Sequence, residues 1–258
     1  MDRLSLPGVT LCAIASINVE ATVSALRKCL ESADFGVCRL LTDAAIVGGG
    51  GICVVPIRKI RTAAEYSQFL LTELIEHVQT PHCLIIQWDG FILDADAWDS
   101  EFLQYDYIGA SWPQFTDGRD VGNGGFSLRS RKLLEVCRDH RFQLHHPEDV
   151  AICRTNRDLL EQSHGIRFAN RPIADRFAFE RTVPSEKAFG FHGIFNMIRV
   201  LGVDQFWSTY RKLDDRSTAL ADFRAILSEL GPGPAGFLRR LVFVIYSIRD
   251  WLRGLARS

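Results

Sequence analysis

The sequence contains no Cys-x-x-Cys pair, no apolar run long enough to cross a bilayer, no surplus of charge of either sign and no internal repeat. Each absence removes a class of function. Seven cysteines, at 12, 29, 38, 53, 83, 137 and 153, fall mostly within apolar runs. That pattern reads as reduced core thiols in a cytosolic protein rather than as a disulfide framework or a zinc ribbon. The start, Met1-Asp2-Arg3-Leu4-Ser5-Leu6-Pro7, lacks the apolar stretch of an export signal, so a cytoplasmic location is expected. A formal net charge of -1 supplies no global basic field to recruit nucleic acid, which leaves a small molecule as the expected partner. The glycine run at 48–51 is followed by Ile52-Cys53 where a phosphate-binding Walker loop needs Lys and Ser/Thr. No Gly-x-Ser-x-Gly elbow occurs either, so serine-nucleophile chemistry has no support.

What is present is a chain of 258 residues, 47% hydrophobic, able to bury a substantial core. Val9-Thr10-Leu11-Cys12-Ala13-Ile14-Ala15 reads as a buried strand, and Val23, Leu26 and Leu30 follow at helical spacing. Strands are expected again at 37–42 and 52–56. Thr62-Ala63-Ala64-Glu65 fits a capping box opening a helix whose buried face is Tyr66, Phe69, Leu70, Leu74 and Val78. Thr80-Pro81 ends that helix and launches the strand His82-Cys83-Leu84-Ile85-Ile86. Strand, helix, strand, helix, strand predicts a mainly parallel sheet in a doubly wound, nucleotide-binding type of α/β fold. Further on, a strand is expected at 107–112, another ending in a helix cap at Ser130, and a helix from Glu148 to Leu160 behind Pro147.

Candidate chemistry begins where the apolar strand delivers Gln87-Trp88-Asp89-Gly90-Phe91 to its carboxyl end, the edge at which open α/β sheets bind ligands. A carboxylate there is expensive to desolvate unless a metal, a donor or water meets it. Asp94, Asp96 and Asp99 read instead as solvated loop and cap residues. Gly122-Asn123-Gly124-Gly125 permits close approach to the backbone, although Asn-Gly alone is also a hairpin signal. In His145-His146-Pro147-Glu148-Asp149-Val150, capping of a helix start accounts for one carboxylate; the second, if it faces a cleft, takes a proton from an attacking hydroxyl. Phe189-Gly190-Phe191-His192-Gly193 flanks a histidine with glycines and aromatics, leaving it either a core residue or a ligand contact.

In order, Gln-Trp-Asp-Gly-Phe (87–91), Tyr-Asp-Tyr-Ile-Gly-Ala-Ser-Trp (105–112), Gly-Asn-Gly-Gly-Phe-Ser-Leu-Arg-Ser (122–130), Pro-Glu-Asp-Val (147–150) and Phe-Gly-Phe-His-Gly (189–193) resemble a largely uncharacterised bacterial family of GT-A-like glycosyltransferases. The resemblance covers about residues 8–195. It implies a GT-A-like nucleotide-binding fold with a mainly parallel central sheet flanked by helices, plus C-terminal helices. It also implies transfer of a sugar from a nucleotide sugar, a UDP-sugar above all, to a hydroxyl of a glycan or lipid-linked acceptor in surface polysaccharide synthesis. Ala15, Ser16, Asn18, Gln87, Trp88 and Asp89 would lie at the donor. Trp112, Asn123, Gly124 and Gly125 would line the donor and acceptor pocket, Asp149 would be the base with Glu148 beside it, and Asp89 and His192 would hold Mn²⁺ or Mg²⁺. Gln87 stands where the wider superfamily carries an acid.

On these readings residues 1–200 form the catalytic domain, 201–230 a helical extension, and 231–258 a Gly/Pro linker with a basic amphipathic helix. In that helix Leu238, Leu241, Val244, Ile245, Ile248, Trp251, Leu252 and Leu255 share one face, with Arg239, Arg249, Arg253 and Arg257 opposite. It docks on its own domain or a partner subunit, or it anchors the chain peripherally on anionic lipid at the inner face of the membrane. Two other functions remain open: a metal-dependent hydrolase using Asp89, His145, His146 and His192, and a non-catalytic protein that binds sugar nucleotides or acts as a scaffold.

Overall fold

The computed structural model describes residues 3–183, 187–231 and 233–255. It divides into two compact units, Met1–His192 and Gly193–Ser258.

In the first unit β1 (Leu4–Ile14), α1 (Val19–Ser32), β2 (Ala33–Thr42), β3 (Ile52–Pro56), α2 (Ala63–Thr72) and β4 (His82–Ile86) follow in the expected order. β5 (Phe91–Ile92), β6 (Tyr107–Ile108), β7 (Phe126–Ser130), α3 (Arg131–Val136), α4 (Glu148–Val150), α5 (Arg171–Phe177), β8 (Ala178–Phe179) and β9 (Gly190–Phe191) complete it. The main sheet has the order β3-β2-β1-β4-β7-β6. Pairing is parallel from β3 through β4; β7 runs antiparallel beside β4, and β6, antiparallel to β7, returns to the direction of the others. The mixed α/β fold with a mainly parallel central sheet is therefore present. Every residue from Val9 to Ile14 is buried, as a strand covered on both faces requires. Cys12, Ile14, Cys83 and Ile85 meet Phe69, Leu70, Leu74, Ile75 and Val78 in one continuous cluster.

Local signals are realised closely. The Glu65 N–H donates to Thr62 Oγ1, while the Glu65 carboxylate accepts from the Arg61 N–H rather than from that of the cap itself. Ser130 caps α3 by accepting from the Leu133 N–H. Asp94 and Asp99 each accept from the backbone two residues on, the cap role expected of them.

Departures have physical causes. The buried face of α1 is Thr22, Ala25, Leu26 and Cys29, with Val23 and Leu30 half-buried, because small side chains let the helix approach the sheet. Only Tyr107 and Ile108 of the expected 107–112 strand pair regularly; beyond them the backbone at Gly109 comes so close to the Gly122 carbonyl that no side chain fits. The helix expected from Glu148 begins as α4 but is wound more widely, as π-helix, over Ala151–Thr155 and Leu159–Ser163.

The second unit contains α6 (Ile194–Leu201), α7 (Val203–Lys212), α8 (Thr218–Ala221), α9 (Phe223–Glu229) and α10 (Gly236–Leu255). Phe206, Tyr210, Ile226, Leu230 and Phe243 form its core. α10 docks through Phe243 and Ser247, not through the leucine and isoleucine face, and Arg239 of the expected solvent-facing side is turned in to Asp204. Pro232, Arg257 and the side chains of Arg253 and Leu255 lie outside the described residues.

Candidate functional site

The strand that carries Asp89 ends in a turn closed by the Gly90 N–H on the Gln87 carbonyl, and the chain then enters β5. β5 pairs with β9, which pairs with β8, in a small second sheet. Phe91 opposite Phe191 sets the register, and their rings meet edge to face at 4.7 Å. This pairing joins residues a hundred positions apart. It carries His192, one step past β9, to Asp89, and Glu180, one step past β8, to the other side of the same imidazole.

The geometry is tight. His192 Nε2 lies 3.3 Å from Asp89 Oδ1 and 3.3 Å from Gln87 Oε1, and Nδ1 lies 3.3 Å from Glu180 Oε1. Burial opposes a charge on this imidazole, but the carboxylates of Asp89 and Glu180 outweigh it and raise its pKa to about 10. Asp89 Oδ1 is buried and accepts no well-formed hydrogen bond. Tyr66 Oη accepts from Gln87 Nε2 at 3.2 Å, which turns the amide oxygen of Gln87 toward the histidine.

A pocket of about 170 Å³ opens beside this cluster, lined by Gln87, Asn123, Gly124, Gly125, Pro147, Glu148, Asp149, Glu180 and His192. It is smaller than the several hundred Å³ of a typical small-molecule site. Asp149 enters from the N-terminal turn of α4, where its Oδ1 accepts from the Val150 N–H at 2.8 Å and its Oδ2 from the Gly124 N–H at 3.2 Å. Its pKa is raised, first by burial and then by the neighbouring charge of Glu148. Asn123 adopts a left-handed φ of 66°. It accepts from the Gly125 N–H through Oδ1 and leaves Nδ2 buried without a partner.

The adjacent Glu148 has a different environment. Its Oε1 accepts from Nη2 of the fully buried Arg129 at 2.9 Å, and its Oε2 accepts from Ser67 Oγ at 3.4 Å. Arg129 also donates to Ser127 Oγ and stacks on the Tyr107 ring. A carboxylate tied to a buried guanidinium is a charge-holding element of the pocket wall. Asp149 lines the pocket without such a guanidinium partner.

The glycines have a cause other than ligand approach. A Cβ on Gly125 would stand 2.0 Å from His192 Nε2, and one on Gly124 would stand 1.9 Å from Glu148 Oε1. Both α-carbons are packed directly under site side chains, which only glycine permits.

The remaining expected residues divide. Ala15, Ser16 and Asn18 lie at the carboxyl edge of β1, the parallel neighbour of β4, and so on the same edge of the sheet as Gln87 to Asp89. Ser16 Oγ accepts from the Ile60 N–H, and Asn18 takes a left-handed φ of 53° at the start of α1. Trp88 is half-buried in the turn. Trp112 is not on the pocket: its ring packs on Gly122 and Phe115 within the core. His145 is hydrogen-bonded to Thr155 and His146 to Ser67, away from Asp89. Among the described residues no three His, Cys, Asp or Glu side chains gather as a metal site, so the ligand set of the hydrolase reading is not assembled. Arg129, Glu180, Ser67 and Tyr66 were not singled out from sequence as site residues. A buried-strand arginine in Phe126-Ser127-Leu128-Arg129 was the one available signal, since an arginine rarely lies buried without a partner.

Sequence comparison places this site within a family. The model for "Protein of unknown function (DUF5672)" matches residues 52–192. The chain belongs to that family. The matched span contains every residue that lines the pocket, and Asp89 beside it. No curated protein matches the chain in sequence. Among solved structures, the chain is similar to a mannosyltransferase of Pyrobaculum calidifontis in complex with GDP-Man and Mn²⁺. The two are 11% identical over 99% of this chain and 82% of that one, with a TM-score of 0.44. It is also similar to the apo-form glycosyltransferase GlyE of Streptococcus pneumoniae, at 9% identity over 74% of this chain and 54% of that one, with a TM-score of 0.41. Neither superposition is close enough to carry a function across.

Proposed function

We propose that this family member is a glycosyltransferase that moves a sugar from a nucleotide-sugar donor, a UDP-sugar foremost, to a hydroxyl of a glycan or lipid-linked acceptor in surface polysaccharide synthesis on the cytoplasmic side. The observation that carries the reading is the convergence, at the carboxyl edge of a mainly parallel sheet, of Gln87, Asn123, Asp149 and His192 on one small pocket, with Asp89 against His192 behind it. That edge is where folds of this class bind nucleotides.

Asp149 removes the proton from the attacking acceptor hydroxyl. A carboxylate with a raised pKa is a stronger base than a free aspartate, and the two backbone N–H groups hold its orientation. The proton remains on Asp149 as the new glycosidic bond forms and the nucleoside diphosphate departs. Asn123 Nδ2, buried and unpartnered, is a ready donor to an oxygen of the sugar. Burial first, and then the neighbouring Glu148, holds the Asp149 pKa up.

The residues also fit a divalent cation. Asp89 Oδ1 and Gln87 Oε1 each lie 3.3 Å from His192 Nε2, which brings together oxygen and imidazole donors of the kind a divalent cation takes. A carboxylate, an imidazole and a neutral amide would hold Mn²⁺ or Mg²⁺ with phosphate oxygens filling the other positions, and the ion would neutralise charge on the leaving diphosphate.

The test is thermal melting of the chain against a panel of nucleotide sugars, with and without Mn²⁺. A donor at a hundred times its dissociation constant adds about 2.7 kcal/mol to stability. Stabilisation by at least one donor, lost in Asp89→Asn, together with transfer lost in Asp149→Asn, is expected. Stabilisation by no nucleotide sugar refutes the reading.

A further inference from the structure

An amphipathic helix in a water-soluble unit turns its apolar stripe inward and its charges outward. α10 does the reverse. Leu238, Leu241, Ile245, Ile248 and Leu252 form one stripe, each 47–60% exposed, and Phe237 and Trp251 extend its edge toward water. The opposite side of the helix makes the packing contacts. Phe243 is wholly buried against Tyr210 and Phe223, Ser247 is buried beside it, and Arg239 is turned in to Asp204. Asp250, the one acid of the segment, lies on that inner side, within 4.0 Å of Arg216.

The outer face therefore carries large apolar groups and arginine, and the nearest acid, Asp250, 3.9 Å from Arg249, is largely buried on the inner side. Arg249 is half-exposed on its flank, and Arg240 is exposed on the other side while donating to the Leu227 and Ser228 carbonyls. Pairing two copies of this face would set arginine against arginine with nothing of opposite sign between them. Anionic headgroups meet both needs at once, taking the arginines at the rim while acyl chains take the stripe. No described helix is long and apolar enough to cross a membrane, so the helix lies in the plane. Trp251 at the edge suits the headgroup level.

We propose that the outward face of α10, Leu238 to Leu252, is a docking surface for an anionic lipid bilayer. The inference stands on the second unit alone and does not need the transfer reaction.

Flotation of the full chain with vesicles of phosphatidylglycerol and phosphatidylcholine in equal parts, against phosphatidylcholine alone, tests it. The expected result is co-flotation with the anionic vesicles. It should be reduced at least about tenfold by Leu241→Glu/Ile245→Glu and roughly fivefold by Arg249→Gln. Melting temperatures should stay unchanged, since these side chains are exposed. Three results overturn the proposal: a wild-type chain that does not float with anionic vesicles, a double variant or an Arg249→Gln chain that floats as wild type does, or a lipid-free dimer of the wild type that the double variant dissociates. Nucleotide-sugar stabilisation measured on the same preparations reports on the transfer site separately, so failure of one reading is distinguishable from failure of the other.

Discussion

Gly125→Ala is a one-methyl test of whether the glycine floor exists to seat His192. The new Cβ would stand 2.0 Å from Nε2 and 2.4 Å from both ring carbons beside it. Ordinary contact begins near 3.4 Å, so the ring must retreat by about 1.4 Å. It has little freedom to do so. The His192 N–H donates to the Phe179 carbonyl at 3.0 Å, and Nδ1 faces Glu180 at 3.3 Å. Retreat opens the 3.3 Å approaches to Asp89 and Gln87 and leaves Asp89 buried without its counter-charge. Breaking a buried pair costs up to about 3–5 kcal/mol, and a misplacement of about 1 Å at a reacting centre costs on the order of 10²-fold in rate. Urea unfolding and single-turnover transfer from a donor that stabilises the wild type measure the two effects. Gly49→Ala is the control: its Cβ meets nothing within 4 Å, so its stability should stay within about 0.5 kcal/mol of wild type. A Gly125→Ala chain that matches wild type in stability and turns over within about twofold refutes the packing argument.

Other outcomes follow from the same geometry. Asp149→Asn should lower transfer by about 10²- to 10⁴-fold, while full turnover in a folded variant would remove Asp149 from the chemistry. Because burial, then Glu148, raises the Asp149 pKa, and because the base works only when ionised, the rate should climb with pH through a midpoint above that of a free aspartate. The stability sign is opposite: a carboxyl whose folded pKa is raised stabilises below the unfolded value and loses that contribution as pH rises through the folded one. Asp149→Asn should therefore gain on wild type in melting temperature across that rise, and a variant that loses ground on wild type as pH rises contradicts it. Arg129→Met should cost about 3–5 kcal/mol in urea unfolding by stranding Glu148, with Glu148→Gln on the same chain recovering most of it; a single-variant loss under about 1 kcal/mol would show the pair to be slack. Asp89→Asn should abolish any stabilisation by Mn²⁺ in thermal melting, and equal stabilisation of both chains would exclude Asp89 as a ligand.

Features that depend on neighbours along the chain were legible from the residues alone. Thr62 and Glu65 announce the start of α2, Ser130 that of α3, and a five-residue apolar run the strand that leads to Asp89, because caps and strand burial are written in adjacent residues. Glu148 and Asp149 are indistinguishable on that basis. Only the fold places one against a buried arginine and the other at the pocket, since the pair Arg129–Glu148 closes across residues that periodicity does not relate. The same holds for Glu180, brought to His192 by the register of β8 on β9, and for Trp112, whose aromatic motif proves to be core packing on Gly122. For α10 the heptad-like spacing showed an apolar face, but a helical wheel does not say which face is covered. Tertiary packing decided that, because Phe243 and Ser247 occupy the contact with Tyr210 and the leucine stripe is left outside.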